Sequence, residues 1–322
     1  MNPKLLVVEL WGLGDLLIAT AFLRAASQQF AVTLLAKPYA LDLQRRFWPG
    51  VNVVPFVAPW TRFKGKYHLP AWPWGRLLRL VKQLRAERFA VGLSARWDPR
   101  DHALLNLFAA RERFGFARAQ SQIFLTQALA RPHPEAHRYE YWRVLGKALA
   151  LDLPVPGRMP LPTARRGGMI LLHTGAGQPV REWPLENYCC LARRLRERHF
   201  AVQIVCDPPQ RRWWLDAGER EVATPETVTD LLGLVDRSRL FIGNDSGPGH
   251  LAALCGIPTF TIFGPQLPEW FVPLHPAAEW IEGKTCPYKP CSDYCRFPSP
   301  HCIKHLAEDE VWPRVEQFVK QC

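Results

Sequence analysis

The sequence predicts an α/β protein built from two doubly wound domains, and three observations carry that prediction. A chain of 322 residues and 36.8 kDa suits two hydrophobic cores of about 150 residues each. Apolar runs of strand length alternate with helical patterns in both halves, which argues for parallel sheets covered on both faces. Between them, residues 151–168 carry Pro154, Pro156, Pro160 and Pro162 without periodicity, a linker composition. The domains are therefore placed at 1–155 and 156–322. Ligands of such sheets bind beyond the carboxyl ends of the strands, so two facing domains would put both sets of loops on a central cleft.

The first domain opens with the nearly unbroken apolar run from Lys4 to Leu10, followed by Gly12-Leu-Gly-Asp15 and a helical pattern to about Gln29. Val32–Ala36 and Val51–Val57 read as the next strands, Leu77–Arg88 as a basic amphipathic helix, and Phe89–Ser94 as a further strand. The second domain restarts in the same way. Gly168–His173 is a strand, Thr174–Pro184 a loop, Leu185–Arg198 a helix and Ala201–Cys206 a strand. Thr224 followed by Pro225 has the form of an N-cap with proline in the first helical position, opening a helix to about Asp236. Leu240–Gly243 enters a loop, Pro248–Cys255 is a short helix, and Thr259–Phe263 is a strand.

With 48% hydrophobic and 22% charged residues and no low-complexity tract, disordered and fibrous classes are excluded. The net charge of +12 is unevenly spread: residues 1–160 hold 23 basic and 10 acidic side chains, residues 161–322 hold 18 and 19. That asymmetry points the first domain at an anionic partner: nucleic acid, a phosphorylated substrate or an acidic membrane surface. No nucleic-acid-binding motif accompanies it. The apolar stretch Leu5–Leu23 contains Glu9 and Asp15 and lacks a basic leader, so neither a membrane span nor a secretory segment is read there and a cytoplasmic location is expected. Cys189, Cys190, Cys206 and Cys255 lie in apolar periodic segments and read as buried thiols of a reducing compartment.

A dinucleotide fingerprint fails, because the third glycine position is Leu17 and the second strand ends in Ala36-Lys37 with no acid for a ribose. Asp15, at a helix start, reads either as a cap or as a carboxylate offered to a ligand. The most informative segment is Asn244-Asp-Ser-Gly-Pro-Gly-His250. A strand there enters a small-residue loop that opens a helix, so N–H groups at Ser246, Gly247 and Gly249 can converge on an anion. Downstream, Cys286, Cys291, Cys295 and Cys302 crowd a Pro-rich segment of residues 286–302. Their spacing suits a structural Zn or Fe ion, two disulfides or free thiols.

Asn244–His250 with Phe263-Gly-Pro265, the early Gly14-Asp15, and Arg181-Glu-Trp-Pro184 together resemble glycosyltransferase family 9, the ADP-heptose:lipopolysaccharide heptosyltransferases, in order along residues 4–320. The resemblance implies a GT-B architecture of two Rossmann-like domains, the first binding the acceptor and the second the nucleotide sugar. It implies inverting transfer from an ADP-sugar without a catalytic cofactor or metal. Residue by residue, Asp15 matches the general base and Arg181 the cation on the leaving diphosphate. Thr174 and Gly175 match the phosphate loop, Asp245 a residue near the sugar, Ser246 and Gly247 the phosphate turn, and His250 the family histidine. Glu226 falls near the adenine pocket by spacing. Arg62, Lys64, Lys66 and Arg96 are the candidate acceptor-binding cations on an anionic glycolipid, and the tryptophans around the basic helix would also suit contact with the inner membrane leaflet. A protein acceptor, or nucleotide-sugar binding without turnover, are the alternative readings. The chain departs from the pattern at Asp207-Pro-Pro-Gln210, where relatives place Gly-Gly and an acid for the ribose.

Overall fold

The computed structural model describes residues 2–61, 68–162, 168–291 and 294–322. The chain divides into two compact units, Met1–Leu153 and Pro154–Cys322.

In the first unit, β1 (Lys4–Glu9), β2 (Ala31–Ala36), β3 (Asn52–Pro55), β4 (Val91–Leu93), β5 (Glu112–Gly115) and β6 (Gln127–Ala128) form a parallel sheet in the order β3-β2-β1-β4-β5-β6. The run Leu5-Leu-Val-Val8 is fully buried, as expected of a central strand covered on both faces. The covering helices are α1 (Leu13–Ile18), α2 (Thr20–Gln29), α3 (Ala40–Phe47), α4 (Trp74–Ala86), α5 (Pro99–Leu107) and α6 (Tyr139–Ala148). α5 starts where Asp98 accepts from the Arg100 N–H at 2.9 Å and Pro99 takes the first helical position, two signals that favour a helix start. The chain winds outward through β2 and β3 and then crosses back to β4. The switch point of the sheet therefore lies between β1 and β4.

The second unit repeats the plan. Its strands β7 (Met169–His173), β8 (Ala201–Val205), β9 (Val222–Ala223), β10 (Ser238–Asn244), β11 (Thr259–Phe263) and β12 (Ala278–Glu282) are ordered β12-β11-β10-β7-β8-β9. Counted from its own first strand this is the same winding, with the switch point between β7 and β10. Its helices are α7 (Leu185–Glu197), α8 (Arg211–Asp216), α9 (Val228–Asp236), α10 (Gly247–Leu254), α11 (Pro268–Phe271), α12 (His301–Lys304) and α13 (Glu308–Gln321). Val311, Val315 and Phe318 of α13 share one core with Leu191 and Leu195 of α7.

Two local expectations are corrected. α9 begins at Val228, with Thr227 rather than Thr224 as its cap: Thr227 Oγ1 accepts from Asp230 N at 3.1 Å, and Asp230 Oδ2 accepts from Thr227 N at 3.0 Å. That reciprocal box satisfies two otherwise orphaned donors, which Thr224 with proline after it does not. Cys206 and Cys255 are buried, but Cys189 is half-buried and Cys190 exposed. The inward stripe of α7 is Tyr188, Leu191, Ala192 and Leu195, and helical periodicity turns Cys190 to the opposite face.

Candidate functional site

Charged side chains gather at both switch points. In the first unit Asp15 is the third residue of α1, and its Oδ2 accepts from Gly12 N at 3.1 Å, so it caps the helix from within its first turn while Gly12, not Asp15, is the N-cap residue. The same oxygen lies 2.5 Å from Arg96 Nη2. Arg96, in the loop after β4, is positioned from several sides: its guanidinium lies 5.1 Å from the Trp11 ring centroid, and its carbonyl is 3.1 Å from His102 Nε2. Thus a predicted base and a predicted acceptor cation form one pair, each side chain about one-fifth exposed (18% and 22%).

Behind this pair lie acids that sequence reasoning missed. Glu9 ends β1 and is 3% exposed; its Oε1 accepts from Trp11 N at 3.1 Å. Burial pushes its carboxyl up to about 8, with Asp15 and Asp101 adding to the rise against the pull of Arg96. Asp101 of α5 accepts from Trp11 Nε1 and Ser94 Oγ, both at 3.2 Å, and burial pushes it up to about 7. Burial works against the Arg96 charge, but Asp15, Glu9 and Asp101 outweigh it and hold the group up. Arg138, 4.4 Å from the Trp97 ring centroid, is lowered to about 10 by burial and by repulsion from Arg96. Glu9, Asp15, Arg96, Trp97 and Arg138 line one depression. The available signal was a charged residue at the carboxyl end of an otherwise apolar central strand.

In the second unit Asn244 ties three segments together at the end of β10. Its Oδ1 accepts from Trp183 N at 3.0 Å, and its Nδ2 donates to the carbonyls of Thr174 at 2.9 Å and Gly175 at 3.4 Å. Next to it, Arg181 Nη1 lies 3.4 Å from Asp245 Oδ2, and Arg181 Nε is buried without a hydrogen-bond partner. Ser246 is the cap residue of α10, but its hydroxyl donates to Asn244 O at 3.2 Å and gives no cap to the helix. In the first turn of α10 Pro248 has no N–H and Gly249 N, expected to face an anion, donates to Ser246 O at 3.2 Å, so the Gly247 N–H is the donor of that turn that an anion can use.

Thr174 is placed differently from its predicted role. Its hydroxyl donates to Gln210 Oε1 at 2.9 Å and accepts from Trp214 Nε1 at 3.3 Å, and its N–H donates to Val205 O at 2.9 Å. Such a residue shapes the loop from within. A Cβ on Gly175 would lie 2.4 Å from the Asp207 carboxyl, so a larger residue there would have to displace that side chain. His250 is buried in the first turn of α10. Glu226 is exposed, two residues before α9. Arg62, Lys64 and Lys66 lie outside the described residues. Trp60 and Trp72, read as part of the basic surface, pack at 5.6 Å between ring centroids with their planes tilted by 46°; Trp60 belongs to the core and Trp72 packs against it.

The cysteine segment does not fit the expected metal. Among the described residues no three His, Cys, Asp or Glu side chains converge as ligands. Cys302 is buried in the core of the second unit, and Cys286 packs against that core. Cys291 Sγ donates to Tyr288 O at 3.3 Å, and Cys295 Sγ accepts from Phe297 N at 3.4 Å. The four thiols lie within Coulombic reach of one another, Cys291 of Cys286 and Cys295, and Cys302 of the same two, without converging as a formed ligand set. All nine cysteines are free, so the paired disulfides are absent as well. Among the described residues no helix is long and apolar enough to cross a membrane.

Two Rossmann-like units of identical winding, each with its charged pair at the switch point, define the class: a double-Rossmann α/β protein of GT-B type. The chain belongs to glycosyltransferase family 9 (heptosyltransferase), whose model matches residues 77–299. Lipopolysaccharide heptosyltransferase 1 of Pseudomonas aeruginosa is 29% identical over 210 residues, covering 53% of this chain and 56% of that relative. The matched stretch thus spans little more than half of the relative's length. The fold is similar to that of a glycosyl transferase family 9 protein from Veillonella parvula, with a TM-score of 0.77 and 16% identity over 100% of this chain and 99% of that one. It is also similar to E. coli heptosyltransferase WaaC with ADP, with a TM-score of 0.74 and 17% identity over 98% and 99%.

Proposed function

We propose that the chain moves a heptose from an ADP-sugar to an anionic acceptor of the lipopolysaccharide core, inverting the anomeric carbon without a catalytic metal. The observation that carries this reading is that each unit holds an acid–Arg pair at its switch point, Asp15–Arg96 and Asp245–Arg181, with both members of the first partly exposed and, in the second, Arg181 partly exposed over a buried Asp245. The reading assigns the acceptor chemistry to the first and the donor to the second.

Both partners of the Asp15 carboxylate engage Oδ2, which leaves Oδ1 to take the proton of the acceptor hydroxyl. As that oxygen bonds to the anomeric carbon, the bond to the diphosphate breaks and its electron pair stays with the leaving group. The orphaned Nε of Arg181 and the Gly247 N–H at the start of α10 offer donors to the charge that develops there. Arg96 aligns the base and adds positive charge for a phosphate or carboxylate of the acceptor.

The test combines calorimetry with ADP and transfer assays from ADP-heptose to a phosphorylated lipopolysaccharide-core acceptor. Asp15→Asn should keep ADP affinity while transfer falls by about two orders of magnitude or more, the scale of lost general-base catalysis. Arg181→Ala should weaken ADP binding, with Arg181→Lys recovering part of it. Near-normal turnover in Asp15→Asn would leave that residue a cap, and unchanged ADP affinity in Arg181→Ala would overturn the donor assignment.

A further inference from the structure

The first unit carries a surface that the transfer reaction does not use. α4 buries Leu80 and Leu84, yet Leu78 on its outer side is 67% exposed, Trp74 at its start 46%, and Leu69 in the preceding turn 53%. Trp74 and Leu78 are one helical turn apart, so their side chains are neighbours. Trp74 Nε1 donates to Leu69 O at 2.9 Å, which sets the indole beside that turn. Three large apolar side chains thus form one exposed patch, where isolated exposed residues would need no explanation.

The charges around the patch have one sign. Lys82 and Arg85 continue the stripe of Trp74 and Leu78 at helical spacing, and Arg76 and Arg79 flank it. Residues 68–86 contain no acid. Glu87, the next acid in the chain, is held by Lys4 Nζ at 2.6 Å. Among the described residues none of Arg76, Arg79, Lys82 and Arg85 has an acidic partner. A protein partner would need to match an apolar patch ringed by four unpaired cations, whereas an anionic bilayer surface matches both features. Indole and leucine insert at the headgroup level, and long cationic side chains lay their stems along the patch while their charges meet lipid phosphates.

We propose that α4 and the turn before it dock the first unit on an anionic lipid bilayer, with Trp74 and Leu78 inserted and Arg79, Lys82 and Arg85 on the headgroups. This goes beyond the transfer reading and survives its failure, because the contact requires neither donor nor acceptor.

The test is co-sedimentation of the whole chain with vesicles of phosphatidylcholine alone or of one part phosphatidylglycerol to two parts phosphatidylcholine. The mixed vesicles should retain the protein and the neutral ones should not, with retention falling as salt rises. Arg79→Ser/Lys82→Ser/Arg85→Ser should lower partitioning on the order of 100-fold, from about fivefold per cation, and Trp74→Ser/Leu78→Ser about 10-fold or more. All five positions are exposed, so unchanged melting temperatures should accompany these losses. As an independent readout, lipids brominated on the acyl chain should quench wild-type fluorescence more than that of Trp74→Phe. Equal binding to neutral and anionic vesicles, equal partitioning of the variants, or self-association through this face without vesicle binding would each overturn the proposal.

Discussion

The buried acids behind Asp15 make the stability of the first unit depend on pH, and Glu9→Gln isolates that dependence. Glu9 is raised from 4.5 to about 8 by burial. A carboxyl whose folded value lies above its unfolded value stabilises the fold fully below pH 4.5, and that contribution is lost progressively as pH rises through about 8. Each pH unit in this window is worth about 1.4 kcal/mol per proton held only by the folded state. Between pH 5 and 7.5 wild type should therefore lose about 3 kcal/mol through Glu9 alone. Gln preserves the shape, the oxygen that accepts from Trp11 N and the neutrality, and it cannot titrate.

Wild type and Glu9→Gln should be similar in stability at pH 5, and the variant should be more stable by about 3 kcal/mol at pH 7.5. For a unit of this size that is a melting shift on the order of 10 °C. Urea titrations at both pH values, with a thermal scan as a second measurement, read the difference. Asp101, raised from 3.8 to about 7 by the same burial, titrates in both proteins, and its repulsion of Glu9, present only in wild type, is part of the difference that is read. A wild-type-minus-variant difference that stays constant from pH 5 to 7.5 would refute the reasoning. It would mean that Arg96 compensates the Glu9 charge in full.

Asn244→Ala should destabilise the second unit by about 1–3 kcal/mol, because it leaves Trp183 N buried without its partner and removes one of the two donors to the Thr174 carbonyl, Gln210 Nε2 remaining; urea unfolding and ADP titration should show the stability loss together with weakened nucleotide binding. Denatured without reductant, the protein should yield nine reactive thiols, and native protein should carry no stoichiometric Zn or Fe by elemental analysis. Five thiols, or one metal per chain released on denaturation, would contradict the arrangement of Cys286, Cys291, Cys295 and Cys302.

The doubly wound plan was legible because its signals are local. Uninterrupted apolar runs such as Leu5–Val8 and Ile170–Leu172 mark buried parallel strands, and the loops after β1 and β10 announce themselves through glycine spacing. Short strands were not legible: β6 is two residues, Gln127–Ala128, and β9 is two, Val222–Ala223. Both owe their strand character to the neighbouring strand, since neither length gives periodicity a chance to appear. The start of α9 was misread for a related reason. Thr224-Pro225 and Thr227 with Asp230 are both credible starts, and only the second satisfies two backbone donors at once.

Site residues divide along the same line. Asp15, Asp245 and Arg181 stand in motifs, so sequence order alone points to them, but their pairing partners are set by long-range topology. Arg96 meets Asp15 because β4 is inserted beside β1, and nothing at position 96 announces that. The segment Asp207-Pro-Pro-Gln210 shows the limit most clearly. Read along the chain, it is only a place where the family pattern fails. In the fold, Gln210 Nε2 donates to Thr174 O at 3.2 Å and its Oε1 accepts the Thr174 hydroxyl at 2.9 Å, while the Asp207 carboxyl fills the space a Cβ on Gly175 would occupy. The departure and the two loop residues are thus one packed unit. A substitution at Asp207 or Gln210 acts on the Thr174–Gly175 loop, and a side chain introduced at Gly175 would have to displace the Asp207 carboxyl.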